Sequence, residues 1–281
     1  MNKIALMQGR LSVRNEQYQH FPYGTEYGEF PVAKKMGFDA IEVIYDGELR
    51  NPLSCHHGLK DLFLVAQKSD MAIDSVCADV FMHKTLFDNS EKQRIINKHI
   101  LAQLITNCAH IGIKNIVIPC IETSSLKTLT DKTNLRNSLR ELLYVAEDKG
   151  INLCLETDLN PLSFYNLIQF IDHPNIRINY DTGNSAFMGF DTEEELNVYG
   201  SKISVVHIKD RKKGGPSVKL GTGDVNFELV FKKLKEMKYD GLFTLQCARP
   251  EKSTVSGESN SVRDQFTILK SMLERWYYNV S

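Results

Sequence analysis

Eight short apolar or β-branched runs, each followed by a longer stretch with helical periodicity, constrain this chain more than any other feature. The runs are Lys3 to Gln8, Ala40 to Ile44, Ala72 to Cys77, Asn115 to Pro119, Asn152 to Glu156, Arg177 to Asp181, Ser204 to Ile208 and Leu242 to Gln246. Such runs read as strands of a parallel sheet, which is buried on both faces because helices cover it. The periodicity predicts those helices near Tyr27 to Met36, Leu59 to Lys68, Glu91 to Ile111, Leu135 to Asp148, Leu162 to Ile171, Glu193 to Tyr199, Phe227 to Met237 and Ser261 to Trp276. Gly37, Gly112, Gly150 and Gly241 each stand between a helix and the next strand, where a helix stop is expected. Eight βα units in strict alternation predict a closed α/β barrel, (β/α)8, and a TIM barrel of about 250 residues fits a 281-residue chain. No linker, low-complexity run or composition break divides the chain, so residues 1–281 are expected to form one domain.

Charge narrows the partners. With 34 Lys+Arg against 35 Asp+Glu the net charge is −1, without the basic footprint of a nucleic-acid binder. No stretch approaches the roughly 18 apolar residues of a membrane span, and Met1 to Arg10 lacks a signal-peptide core, so a cytoplasmic protein is expected. The six cysteines, Cys55, Cys77, Cys108, Cys120, Cys154 and Cys247, form no C-x-x-C pair and read as reduced core residues. The closing aromatics Trp276, Tyr277 and Tyr278 could seal the last helix or contact a second copy in a homo-oligomer.

A barrel of this kind places its chemistry at the C-terminal ends of the strands. The last four runs end in Glu156, Asp181, His207 and Gln246. Two carboxylates, an imidazole and an amide around one mouth suit a divalent ion, Mn²⁺ first, with Zn²⁺ or Co²⁺ as alternatives. An acidic residue at a strand end often only caps the next helix, and a lone buried histidine is usually structural. Capping gives no reason, however, for a histidine at the corresponding end of the strand that follows two acids.

Four pieces, Leu155-Glu156, Asp181-Thr182-Gly183-Asn184, Val206-His207-Ile208-Lys209-Asp210 and Leu220-Gly221-Thr222-Gly223-Asp224-Val225-Asn226-Phe227, stand in an order and at strand positions that make the chain resemble the xylose isomerase-like barrels. That family includes sugar-phosphate isomerases and epimerases, ketose 3-epimerases and, more remotely, the endonuclease IV group. The resemblance implies metal ligands at Glu156, Asp181 and His207, with Glu156 also an acid/base residue. Where the 3-epimerases carry a second glutamate, this chain has Gln246. An amide oxygen still coordinates a hard cation but accepts no proton near neutral pH. Endonuclease activity is disfavoured, since that group uses more His and acidic ligands than these strand ends supply.

The expected activity is metal-dependent isomerisation or epimerisation of a sugar, in particular a sugar phosphate or other anionic sugar, through an enediolate. One base suffices for an aldose–ketose interconversion. Stereoinversion needs a second acid, for which Glu42, Asp79, Glu122, Asp158 and Asp210 are candidates. The alternatives are a dehydratase or other enediolate chemistry on the same site, or a non-catalytic sugar-binding protein with a degraded metal site. Substrate contacts are expected from Arg10, His83, Asn184, Arg211, Lys213 and Arg249. The Asp181 to Asn184 piece has a plain turn as its alternative reading, and the cationic loop Arg211 to Pro216 reads as a solvated one or an anion cradle. Tyr18, His20, Phe21, Pro22 and Tyr23 could line a sugar or pack the barrel rim, whereas His56 and His57 read as solvent-facing.

Overall fold

A computed structural model describes residues 4–14 and 19–278; Tyr18 and the first residue of the opening run, Lys3, lie outside them. Among the described residues, eight parallel strands close into a barrel: β1 (Ile4–Met7), β2 (Ala40–Ile44), β3 (Ser75–Cys77), β4 (Asn115–Cys120), β5 (Asn152–Thr157), β6 (Ile176–Asp181), β7 (Ile203–Ile208) and β10 (Phe243–Leu245). Each strand pairs with its neighbour in sequence and β10 returns to β1, so the sheet has no open edge. Two further strands, β8 (Asp210–Arg211) and β9 (Ser217–Val218), form a small antiparallel hairpin after β7.

The connecting helices are α1 (Glu29–Met36), α2 (His56–Lys68), α3 (Glu91–His110), α4 (Leu129–Asp148), α5 (Pro161–Ile171), α6 (Thr182–Met188), α7 (Thr192–Tyr199), α8 (Phe227–Glu236) and α9 (Val255–Met272). Their starts follow from local chemistry. Thr128 and Asp131 form a reciprocal capping box on α4, and Asn160 caps α5 with Pro161 at its first position. The core fills the barrel and the layer between strands and helices; Ala5, Leu6, Val43, Ile116, Leu153, Ile178 and Val206 are wholly buried.

The structure refines the sequence expectations in several places. The third strand shortens to Ser75–Cys77, because Ala72 makes only an isolated bridge to Ala40. Asp181 to Asn184 is not a plain turn: Asp181 caps α6, a helix the periodicity is too short to reveal. The Arg211 to Pro216 loop is the bend of the β8–β9 hairpin. Cys55 is exposed rather than a core residue, its sulfur receiving the Gly58 N–H at the start of α2, while the other five cysteines are buried.

One irregularity sets the height of the site. Between β6 and β7 the pairing moves from Ile178 with Ile203 to Asn179 with Val205, so β7 carries one extra residue, Ser204. The shift brings Asp181 level with His207. Since side chains alternate between sheet faces, a one-residue slip would send one of the pair to the wrong face. Arg177 holds the displaced Ser204 hydroxyl through Nε at 2.9 Å.

At the other end of β10, Phe243 is buried among Phe231, Tyr239 and Tyr277, with ring centroids 5.6, 5.4 and 5.2 Å away. The Tyr277 hydroxyl also bonds to the Tyr239 carbonyl. The C-terminal aromatics thus take the sealing role, closing the last helical turn, Leu273–Tyr278, onto the barrel. Among the described residues, no helix is long and apolar enough to cross a membrane.

Candidate active site

Glu156 near the end of β5, Asp181 at the end of β6 and His207 on β7 meet at one mouth of the barrel. One ligand atom from each lies within 4.8 Å of the others, and all three residues are buried. His207 Nδ1 stands 3.8 Å from both Glu156 Oε2 and Asp181 Oδ2. Gln246, immediately after β10, brings its Nε2 to 3.1 Å from the same nitrogen. The four residues read from the strand ends therefore converge.

The opposite nitrogen of His207 is engaged from below. Nε2 lies 2.7 Å from Glu42 Oε1, and Ser75 donates its hydroxyl to Glu42 Oε2 at 2.5 Å. Glu42, weighed as a second acid at the mouth, is instead a fully buried mid-strand residue of β2 that fixes the imidazole. With Nε2 committed to a carboxylate, Nδ1 faces Glu156 and Asp181, the arrangement in which a metal-ligating histidine is held. Burial by itself would lower the pKa of His207, but the carboxylates of Glu42, Glu156 and Asp181 outweigh it and raise it to about 9.

Glu156 sits in a bed of amides. Asn179 donates to Oε2 at 2.8 Å and Asn184 to Oε1 at 2.5 Å. Burial and the adjacent Asp181 charge push Glu156 up to about 7, against the pull of His207 and Lys209. Asn184 is held in turn by Arg211, whose Nη1 lies 3.2 Å from its oxygen and whose guanidinium stacks 4.0 Å over Phe187. Asn184 therefore joins the cationic hairpin to Glu156.

Asp181 serves two purposes with two oxygens. Oδ1 receives the Asn184 N–H at 2.8 Å and caps α6; Oδ2 meets the Lys209 ammonium at 2.8 Å. Capping and ligation, alternatives in the sequence, are compatible in the fold. The donor set fits a divalent ion: two carboxylates and an imidazole suit Zn²⁺ or Mn²⁺, and buried Asn179 Oδ1 has no hydrogen-bond donor among the described residues.

The Arg249 side chain is buried and bonds the carbonyls of Gly9 and Ser12 at 2.8 and 3.1 Å and Glu258 at 3.2 Å, tying the first βα loop to α9. Buried Arg10 donates to Gln19, which grips both oxygens of Asp79 at 3.0 and 3.1 Å. Lys213 is exposed on the hairpin, its N–H on Asp224, and Lys212 pairs with the same carboxylate. His83 is exposed at the end of the turn after β3. The rings of Phe21 and Tyr23 pack against each other at a tilt, centroids 4.7 Å apart, and Tyr23 donates its hydroxyl to Asp46. Asp210 receives the N–H groups of Gly221 and Gly223 at 2.9 and 2.8 Å, so this candidate acid braces a loop.

The sequence reading does not single out Asn179 or Lys209. Asn179 lies two residues before Asp181, on the same face of β6, and that period was the available signal. Lys209 lies two residues beyond His207, at the strand exit.

The family model of the xylose isomerase-like TIM barrel matches residues 30–272. An uncharacterized protein of Methanocaldococcus jannaschii is 29% identical over 121 residues, covering 39% of this chain and 41% of that relative, less than two thirds of its length. The inosose dehydratase of Clostridium perfringens is 22% identical over 206 residues, 63% of this chain and 69% of the relative. The 2-epi-5-epi-valiolone 7-phosphate 2-epimerase of an Actinoplanes species is 27% identical over 197 residues, 68% of this chain and 71% of the relative. Among solved structures, the zinc-bound IOLI protein superposes with a TM-score of 0.77 at 20% identity, covering 98% of this chain and 99% of that one. Barrel topology and the match across most of the chain agree, and the protein belongs to the xylose isomerase-like TIM barrel family.

Proposed function

We propose that this protein is a metal-dependent carbohydrate isomerase or epimerase that moves a proton beside the carbonyl of a sugar or sugar-like ring, in particular a sugar phosphate or other anionic sugar. The observation that carries the reading is Glu156: a buried carboxyl raised to about 7, with both oxygens oriented by amides, beside the Asp181–His207 pair. A divalent ion held by Glu156, Asp181 and His207, Mn²⁺ first with Zn²⁺ or Co²⁺ as alternatives, would supply positive charge for the oxygen that becomes an enediolate.

Glu156 takes the proton from the carbon beside the carbonyl and returns it; a pKa near the working pH suits both directions. Asn179 and Asn184 hold it for that transfer. Arg211, already drawn to Asn184, supplies the fixed cation for an anionic group on the substrate, and Lys213 adds charge at the rim. For inversion at carbon a second acid is needed, and Asp79 fits best. It is partly buried at the exit of β3, and burial raises its pKa against the hydrogen bonds of Gln19 and Cys77.

Dehydration is the second reading, favoured by Gln246, which accepts no proton, and by the relatives named inosose dehydratases. Both reactions begin with the same proton removal. The test is a panel of ketoses, aldose and ketose phosphates and inososes in D2O with the metal-loaded protein. Deuterium at the carbon next to the carbonyl is followed by NMR, and loss of water by mass spectrometry. Exchange that disappears in Glu156→Gln supports the assignment. Exchange that survives the substitution overturns it, and absence of exchange across the panel returns the chain to the sugar-binding reading.

A further inference from the structure

Lys209 makes a close charge contact at the mouth, and three features build its position. Its ammonium lies 2.8 Å from Asp181 Oδ2 and 3.2 Å from Gln246 Oε1, with the side chain 13% exposed. The Thr182 hydroxyl fixes the Lys209 backbone, donating to its carbonyl at 2.6 Å and receiving its N–H at 3.1 Å. Gly183 makes room for the stem: a methyl group there would come within 2.8 Å of Lys209 Cγ and 2.9 Å of Cε.

The oxygen that Lys209 engages belongs to one of the three metal-ligand candidates. An ammonium and a divalent ion on one carboxylate oxygen repel strongly in a buried site, where water screens little. The neutral amide of Gln246 offers the ammonium a second acceptor within the same reach. A flexible lysine stem permits a short move between two acceptors.

We propose that Lys209 is a built-in competitor of the metal: its ammonium holds Asp181 in the metal-free chain and withdraws to Gln246 when a divalent ion takes Asp181. This rests on the metal reading of the site. Lys209 then sets the affinity for the ion, and Gln246 acts as the resting place of the ammonium.

The test is titration calorimetry of the metal-stripped full chain with MnCl2, comparing the wild type with Lys209→Met, Lys209→Gln and Asp181→Asn, each checked for folding by circular dichroism and its urea midpoint. Both Lys209 variants are expected to bind Mn²⁺ at least tenfold more tightly than the wild type, and Asp181→Asn more weakly. A lysine that merely braced Asp181 would give the reverse, since its loss would loosen the ligand. Unchanged or weaker binding in the Lys209 variants, with binding in the wild type intact, overturns the competition alone. Absence of binding in every chain overturns the competition and the metal site together.

Discussion

β10 is three residues long, and its two ends are held by different forces. At its start Phe243 is wholly buried among Phe231, Tyr239 and Tyr277. Just past its end Gln246 is 4% exposed among Lys209, His207 and the site carboxylates. The aromatic end gains stability from area and shape, terms that need no exact partner atom. The polar end must satisfy each buried group with a particular donor or charge, and an unpaired one would cost more than a pair returns. Apolar packing and polar pairing are thus separated along one strand, and substitutions at the two ends should affect different measurements.

The largest separation is expected from Glu156→Gln. Proton exchange into a turned-over sugar should fall about 10³-fold, within the range of general-base contributions, while the urea midpoint holds or rises. A fall in stability of similar weight would place Glu156 with the scaffold. Phe243→Ala is the converse: it should cost about 3–5 kcal/mol in urea unfolding and leave exchange per folded molecule unchanged. Smaller is the effect of Glu42→Gln, which keeps the volume but loses the charge behind His207; Mn²⁺ affinity measured by calorimetry should drop roughly 10–100-fold. Retained affinity would show that the imidazole needs no carboxylate to hold it. Smallest is Gln246→Glu, where the same measurement should show an affinity gain of less than about tenfold from the added carboxylate, with proton exchange still present. Complete loss of metal in that variant would contradict a merely supporting role for position 246.

Much of this was legible in the chain. The alternation of apolar runs and helical periods specifies the barrel because the strand and helix patterns are local, and because eight of them fit this length in one closed form. Glu156, Asp181 and His207 could be read for the same reason: each is a polar residue closing an apolar run. Glu42 was visible as an acid inside Ala40 to Ile44, but its role was not, since that depends on a histidine 165 positions later in the chain. The bulge at Ser204 and the two-oxygen use of Asp181 were likewise hidden, because neither leaves a periodic trace.

The sequence by itself determined the fold class and the strand ends at which polar groups collect, since both follow from patterns within a few residues. Only the tertiary structure decided how each charge is used: Arg249 and Asp210 as braces for loops, Arg211 as the holder of Asn184, Glu42 as the support of His207, Lys209 against Asp181. Those roles are set by distances of about 3 Å between groups from different strands, and a charge seen in the sequence carries no record of which partner will neutralise it.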